Sequence, residues 1–225
     1  MRKTPAMFVR RATVFFDEPR LFLGGVELSF TRSLTNLGFV MNSCLNWRDF
    51  ASRVCGQVSS ALGRLRAFAR LSTSIKLRLF KALVLPMFNY GDVFLLSLPE
   101  ECRRALTKSL NDCVRFVYGL RLGDHVTSLQ RDLVGCPFSC YYKFRAVQFI
   151  HKLLLTRRPE YLYSRLSLSG SLRTRRLITP RNRTALYNNS FFVQGVGAYN
   201  ALPDSVKLLT NMVAFRRECL RFYNE

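Results

Sequence analysis

Acidic residues are scarce in this chain: 14 Asp and Glu stand against 35 Lys and Arg, a formal charge of +21. An excess of that size costs self-repulsion in a compact fold unless an anionic partner relieves it. Nucleic acid is the first partner class this implies. An anionic membrane surface or an acidic protein answers the same charge, and a solvated basic surface without a specific partner is the plain alternative. Long apolar runs are missing as well. The longest, such as 82–88, falls far short of the span a bilayer requires, which excludes a membrane partner of the spanning kind. No sustained apolar segment follows Met1-Arg2-Lys3, and Arg10 and Arg11 interrupt the one candidate stretch, so no secretory signal is expected. Histidine is limited to His125 and His151 and tryptophan to Trp47. Cysteine is present but unpaired in pattern. Cys44, Cys55, Cys102, Cys113, Cys136, Cys140 and Cys219 are odd in number and irregularly spaced, which reads as free thiols in a reducing compartment, nuclear or cytoplasmic.

What is present is apolar residue, 48% of the chain, enough for a sizeable core in one large domain or two small ones. Residues 1–47 carry short apolar runs at 7–9, 14–16, 21–23, 26–30 and 37–41, with Gly24-Gly25 between two of them supplying hairpin chemistry. A small antiparallel sheet is expected there. After Trp47 the period changes: Val54, Val58, Leu62, Leu65 and Phe68 predict an amphipathic helix over 49–71. Ser72-Thr73-Ser74 offers caps for a second helix with Ile75, Leu79, Ala82 and Leu83 on its apolar face, running past Pro86 into Tyr90 and Phe94 and kinked or interrupted at the proline. A third helix opens at Pro99, with Glu100 and Glu101 in its first turn, and stops at Gly119; a short one covers 125–134 and a longer one runs from Pro137 to Arg157. The stretch 167–183 is polar and reads as an exposed loop or arm, and helical order returns at 191–202, after Pro203-Asp204 and at 213–222. The expected fold is therefore mainly α: a small N-terminal β hairpin or sheet over 1–47, a helical bundle over 48–157, and a basic arm with C-terminal helices over 158–225.

Candidate chemistry is thin. Two-metal catalysis needs several carboxylates brought together. The adjacent acidic pairs are Asp17-Glu18, before a turn proline, and Glu100-Glu101, at a helix start, and both positions have ordinary structural uses. Cys136 and Cys140, with His125 and His151 in reach by sequence, have loose zinc-ligand spacing, but Pro137 and apolar flanks suit a helix start with buried thiols. No catalytic residue and no metal ligand is assigned. Cations are the richer constellation. Arg64, Arg66 and Arg70 close the first helix and Lys76, Arg78 and Lys81 open the second, so a helix-turn-helix corner gathers six cations able to contact successive phosphates. Arg173, Arg175, Arg176, Arg181 and Arg183 form a second basic stretch, with Tyr161, Tyr163 and Tyr187 as stacking or packing aromatics.

The order of short motifs resembles a known family. Lys3-Thr4 with Met7-Phe8, Leu34-Thr35-Asn36-Leu37-Gly38-Phe39-Val40, and Leu45-Asn46-Trp47 are similar to the segment after the catalytic motif of non-LTR retrotransposon reverse transcriptases, with Asn42 where that family commonly has Asp. Leu83-Val84-Leu85-Pro86, Asn89-Tyr90-Gly91 and Val114-Arg115-Phe116-Val117-Tyr118-Gly119 resemble the thumb and connecting region of jockey-like elements. Tyr199-Asn200-Ala201-Leu202-Pro203, followed by Phe215, resembles their terminal signature with Tyr in place of Trp. The resemblance implies a palm end over 1–47, Lys3 near a nucleotide-side lysine, Leu37-Gly38 in a primer-grip hairpin, and a thumb from 49 onward. It places the family's aspartate pair before Met1, so Mg2+ is implied for a complete polymerase and no cofactor for this chain alone. The implied partners are RNA, DNA or an RNA–DNA hybrid, together with the fingers and palm portion of a polymerase. A non-catalytic nucleic-acid-binding descendant is the first reading; a protein-interaction or structural module, or a remnant without function, is the alternative.

Overall fold

The computed structural model describes residues 6–9, 19–96, 98–169 and 174–225. Lys3-Thr4, the apolar run 14–16, Asp17-Glu18 and Arg173 lie outside the described residues. The fold is mainly α, as the periodicity predicts, and among the described residues its N-terminal strands form two antiparallel hairpins. β1 (Leu21–Leu23) pairs antiparallel with β2 (Val26–Leu28), Leu23 opposite Val26. Gly24 and Gly25, at φ 57° and 79°, make the tight turn that matches strand twist. β3 (Ser33–Asn36) and β4 (Phe39–Asn42) form the second hairpin, whose turn is Leu37 and Gly38, again both at positive φ.

α1 (Arg48–Leu65) buries Phe50, Val54, Val58, Ala61 and Leu62 at three- and four-residue steps. It ends six residues before the expected Leu71, passing through a 3-10 turn at Arg66–Phe68 into an exposed link. The second helix differs more. α2 (Thr73–Leu79) leads into a π turn (Phe80–Val84) and then α3 (Leu85–Asn89) with Pro86 in its first turn. Its buried face is Lys76, Phe80, Val84 and Phe88, while Ile75 and Leu83, expected inward, are about half exposed. Residues four apart drift around an α-helix of 3.6 residues per turn, and the wider π turn cancels part of that drift. The Leu85 N–H bonds the Phe80 carbonyl across the π turn, just ahead of Pro86, which has no N–H to give.

α4 (Asp92–Leu95) follows Gly91, and α5 (Glu100–Tyr118) runs between the predicted punctuation: Pro99 before it and Gly119, at φ 70°, closing it. α5 packs its stripe of Leu106, Leu110, Cys113, Val114 and Val117 against α1. α6 (Thr127–Val134) precedes α7 (Phe138–Thr156), which is buried along most of its length and touches α4, α5, α6 and the C-terminal helices. A helix apolar on several faces must be the centre of a bundle. After the short helices α8 (Glu160–Tyr163) and α9 (Ala185–Asn188), the C-terminal helices α10 (Phe191–Asn200), α11 (Asp204–Lys207) and α12 (Met212–Asn224) close over it, so 158–225 contributes Val196, Tyr199, Leu202 and Phe215 to the same core as 48–157.

The 167–183 stretch is surface chain, but where described it is pinned rather than free. The Ser169 N–H donates to the Arg176 carbonyl and the Ile178 N–H to the Ser167 carbonyl, each at 2.8 Å. Asn200 holds both backbone groups of the buried Leu177, accepting from its N–H at 2.9 Å and donating to its carbonyl at 2.8 Å.

His151 is fully buried in this closure. Its ring lies flat on Phe215 at 3.6 Å, Nε2 donates to the Leu209 carbonyl at 2.8 Å, and Nδ1 faces the Tyr199 hydroxyl at 3.4 Å. Burial drives its pKa down from 6.5 to about 4, so the folded chain holds it neutral. As pH falls from 6.5 towards 4, the unfolded chain binds a proton that the folded chain refuses, and stability falls with it. Urea unfolding at pH 7 and pH 5.5 should show a loss of about 1 kcal/mol from this residue in the wild type, and a smaller loss in His151→Gln; equal losses would remove His151 from the acid response.

Candidate nucleic-acid interface

Between Asp49 and Asp92 the chain contains no Asp or Glu, yet it carries Arg53, Arg64, Arg66, Arg70, Lys76, Arg78 and Lys81. The turn from α1 to α2 concentrates this charge. Arg64 sits on the last turn of α1 and donates to Ser60 Oγ at 3.0 Å; Arg66 lies in the 3-10 turn, Arg70 in the link, Arg78 on α2 and Lys81 in the π turn. All five are exposed, and none has an ion-pair partner among the described residues.

Lys76 does not belong with them. It is 6% exposed and faces inward on the core stripe of α2. Its Nζ stands 5.8 Å from the Phe116 ring centroid and about 4 Å from where a Cβ on Gly119 would lie, at the C-terminal end of α5. The helix end supplies partial negative charge and the ring face attracts a cation, while the aliphatic stem fills core space. Sequence periodicity hid this because a lysine at an inward position reads as an outward one.

The second basic stretch is divided. Arg175 is half-buried at φ 42° and donates to the Lys207 carbonyl at 3.3 Å, a structural tie, whereas Arg176, Arg181 and Arg183 are exposed.

A third feature, the tip of the β3–β4 hairpin, is fixed by contacts that sequence alone does not reveal. Leu37 is 81% exposed at φ 48°, and a left-handed leucine costs about 1 kcal/mol. The Tyr90 hydroxyl donates to the Leu37 carbonyl and holds the tip in place. Beneath it Phe39 stacks on Tyr90 at 4.8 Å and meets Phe50 and Phe94 at 5.1 and 5.0 Å, and Trp47 packs on Phe94 at 4.3 Å. Gly91 completes the cluster because a Cβ there would fall 2.3 Å from Phe39 Cε1. The turn into α1 is organised by Asn42, which donates to Asn46 Oδ1 at 2.7 Å and to Asp49 Oδ2 at 3.1 Å. A carboxylate at 42 could donate neither bond and would face Asp49 with like charge.

Among the described residues, acid and metal chemistry find no comparable assembly. Glu100 and Glu101 are used in ion pairs, with Arg103 at 2.8 Å and with Arg48. Cys136 is buried, and burial pushes its thiol up to about 12, opposite to what a thiolate ligand requires. Among the described residues no three His, Cys, Asp or Glu side chains come together to hold a metal ion, and no helix is long and apolar enough to cross a membrane. Comparisons with protein-family models, curated proteins and solved structures find no match to the chain.

Lys76 and its neighbours should separate cleanly by mutation. Lys76→Glu buries an acid at a helix C-terminus and is expected to cost about 3 kcal/mol, whereas Lys76→Met keeps the stem and should cost under about 1.5. Reversals at Arg64, Arg66 or Arg78 should stay within about 0.5 kcal/mol of wild type. Urea midpoints of the five variants check the order, and a tolerated Lys76→Glu would contradict the inward placement.

Proposed function

We propose that this chain grips nucleic-acid backbone through the α1–α2 corner, without catalysing a reaction of its own, as a relative of the thumb region of non-LTR retrotransposon reverse transcriptases. The observation that carries the reading is the corner itself: Arg64, Arg66, Arg70, Arg78 and Lys81, all exposed, flank one turn in a stretch without acid. Such a surface neutralises phosphates and releases their counterions, which gives affinity without base identity. The resemblance is supported indirectly. The motifs that carry it lie far apart in sequence, yet Leu37-Gly38-Phe39, Trp47 and Tyr90-Gly91 converge on one aromatic cluster, and Asn200 of the C-terminal signature anchors Leu177. A hairpin braced on the start of α1 and a basic corner at its other end present two separate surfaces to a primer–template duplex. The fingers and palm portion of a polymerase remain a partner in this reading.

A second reading, a protein-binding module, is favoured by the β1–β2 hairpin, where Phe22, Leu23 and Val26 are 63%, 59% and 53% exposed. Association with another protein that survives nuclease digestion separates it from the first.

Binding of an RNA–DNA hybrid should weaken linearly in a plot of log affinity against log salt, by about 0.9 per phosphate contact. The combined variant Arg64→Glu, Arg66→Glu, Arg70→Glu, Arg78→Glu should lower affinity at least tenfold and flatten that slope by up to about 3.6. Fluorescence anisotropy measures both, and an unchanged slope would remove the corner from the account.

A further inference from the structure

The C-terminal end of α7 opens onto a solvent-facing cleft of about 860 Å3, lined by Lys152, Thr156, Arg157, Arg158, Glu160 and Tyr163. Its walls are built rather than incidental. Arg157 takes a left-handed backbone, φ 54°, with its N–H on the Leu153 carbonyl at 2.9 Å, which swings the next residues out of the helix. Thr156 Oγ1 donates to the Lys152 carbonyl at 2.9 Å and accepts from the Arg158 N–H at 3.3 Å. The Leu162 and Tyr163 N–H groups bond the Pro159 carbonyl at 3.2 and 3.1 Å, setting α8 (Glu160–Tyr163) as one side of the cleft. The Arg157 guanidinium lies over the Tyr163 ring, 5.9 Å from its centroid, and both residues line the cleft.

Lys152, Arg157 and Arg158 have no ion-pair partner among the described residues. The end of α7 offers about half a negative charge, which three full positive charges exceed severalfold. Glu160 is the one acid in the lining and leaves the cleft net positive. The volume lies within the range of about 300–1,000 Å3 typical of ligand clefts. These exposed cations suit an anion, and Tyr163 beside Arg157 suits a flat unsaturated ring. A nucleotide carries both, joined through its sugar. Because a duplex turns its base faces inward, the base reaches Tyr163 only from an unpaired strand.

We propose that this cleft is a single-strand subsite: Lys152, Arg157 and Arg158 hold the phosphodiester, and Tyr163 with Arg157 stacks one base. The inference rests on the nucleic-acid reading above and adds a second, chemically different contact to the basic corner, one that engages unpaired strand rather than duplex backbone.

Photocrosslinking tests it on the full wild-type chain, with single-stranded RNA and DNA oligonucleotides of about twelve residues carrying 5-iodouracil, a length within the site sizes of single-strand binders. The crosslinked peptide is expected to contain Tyr163. In anisotropy titrations of the same oligonucleotides, Tyr163→Ala should weaken binding about tenfold and Tyr163→Phe less than about twofold, because phenylalanine keeps the stacking face. Neither variant should alter affinity for an RNA–DNA hybrid duplex. Crosslinks confined to 64–81 would overturn the cleft assignment and leave the corner reading standing; wild-type affinity in Tyr163→Ala would do the same. Uridine monophosphate binding as tightly as the oligonucleotide would overturn the strand assignment, and failure to bind any nucleic acid would overturn both readings.

Discussion

Excess positive charge is the constraint on which this structure turns. With 35 cations to 14 acids, most Lys and Arg cannot find an internal partner, so the fold must hold them at the surface and apart while it closes a core behind them. Only Lys76 and Lys207 are buried among the described cations. Each is compensated locally, Lys76 by the end of α5 and the Phe116 ring, Lys207 by Asp204 at 2.6 Å. Burying a charge without such compensation would cost several kcal/mol, a large share of a domain's net stability. The remaining charge is displayed outward, and its display is uneven. The α1–α2 corner and the end of α7 concentrate it, while acids at helix starts form ion pairs, within a turn for Glu100 with Arg103 and between helices for Asp92 with Arg145.

The core that permits this display is organised by α7 and by one aromatic cluster. α7 is buried on several faces, so α4, α5, α6, α10 and α12 assemble around it and the C-terminal third of the chain cannot be peeled from the middle without exposing Tyr199 and Phe215. The Phe39, Trp47, Phe50, Tyr90 and Phe94 cluster performs the corresponding task at the other end. It fastens a two-stranded hairpin, marginal alone in water, to the helical body and fixes the exposed Leu37 tip. Function, in this account, depends on rigidity of that kind: a hairpin, a basic corner and a cleft held in constant relation to one helical core.

Much of this was legible in the sequence. Helix punctuation was the clearest signal: Pro99 with Glu100-Glu101, Gly119, Pro137 and Pro203-Asp204 mark boundaries that α5, α7 and α11 respect to within a residue or two, and Gly24-Gly25 marks its hairpin. What escaped was anything decided by a distant partner. The inward face of the second helix was read one residue off because a π turn changes the repeat and because a lysine occupies a core position. The 167–183 stretch looked free because the residue that pins it, Asn200, lies far along the chain. The six-cation corner became five for the same reason, and the Arg175 tie to Lys207 was invisible. In the cleft at the end of α7 only Tyr163 stands out in the sequence, since Lys152, Arg157 and Arg158 are ordinary helix-end cations until α8 folds back beside them.

The proposed match of this charge is to nucleic acid rather than to negative charge in general. Melting of the wild-type chain at low salt tests it most directly, with an RNA–DNA hybrid, anionic lipid vesicles and polyglutamate each titrated at equal total negative charge. A partner that binds only the folded state raises the melting temperature in proportion to its affinity. The account predicts a saturable rise with the hybrid at a lower charge concentration than with either other polyanion. Equal shifts from all three, or a larger one from vesicles or polyglutamate, would contradict it.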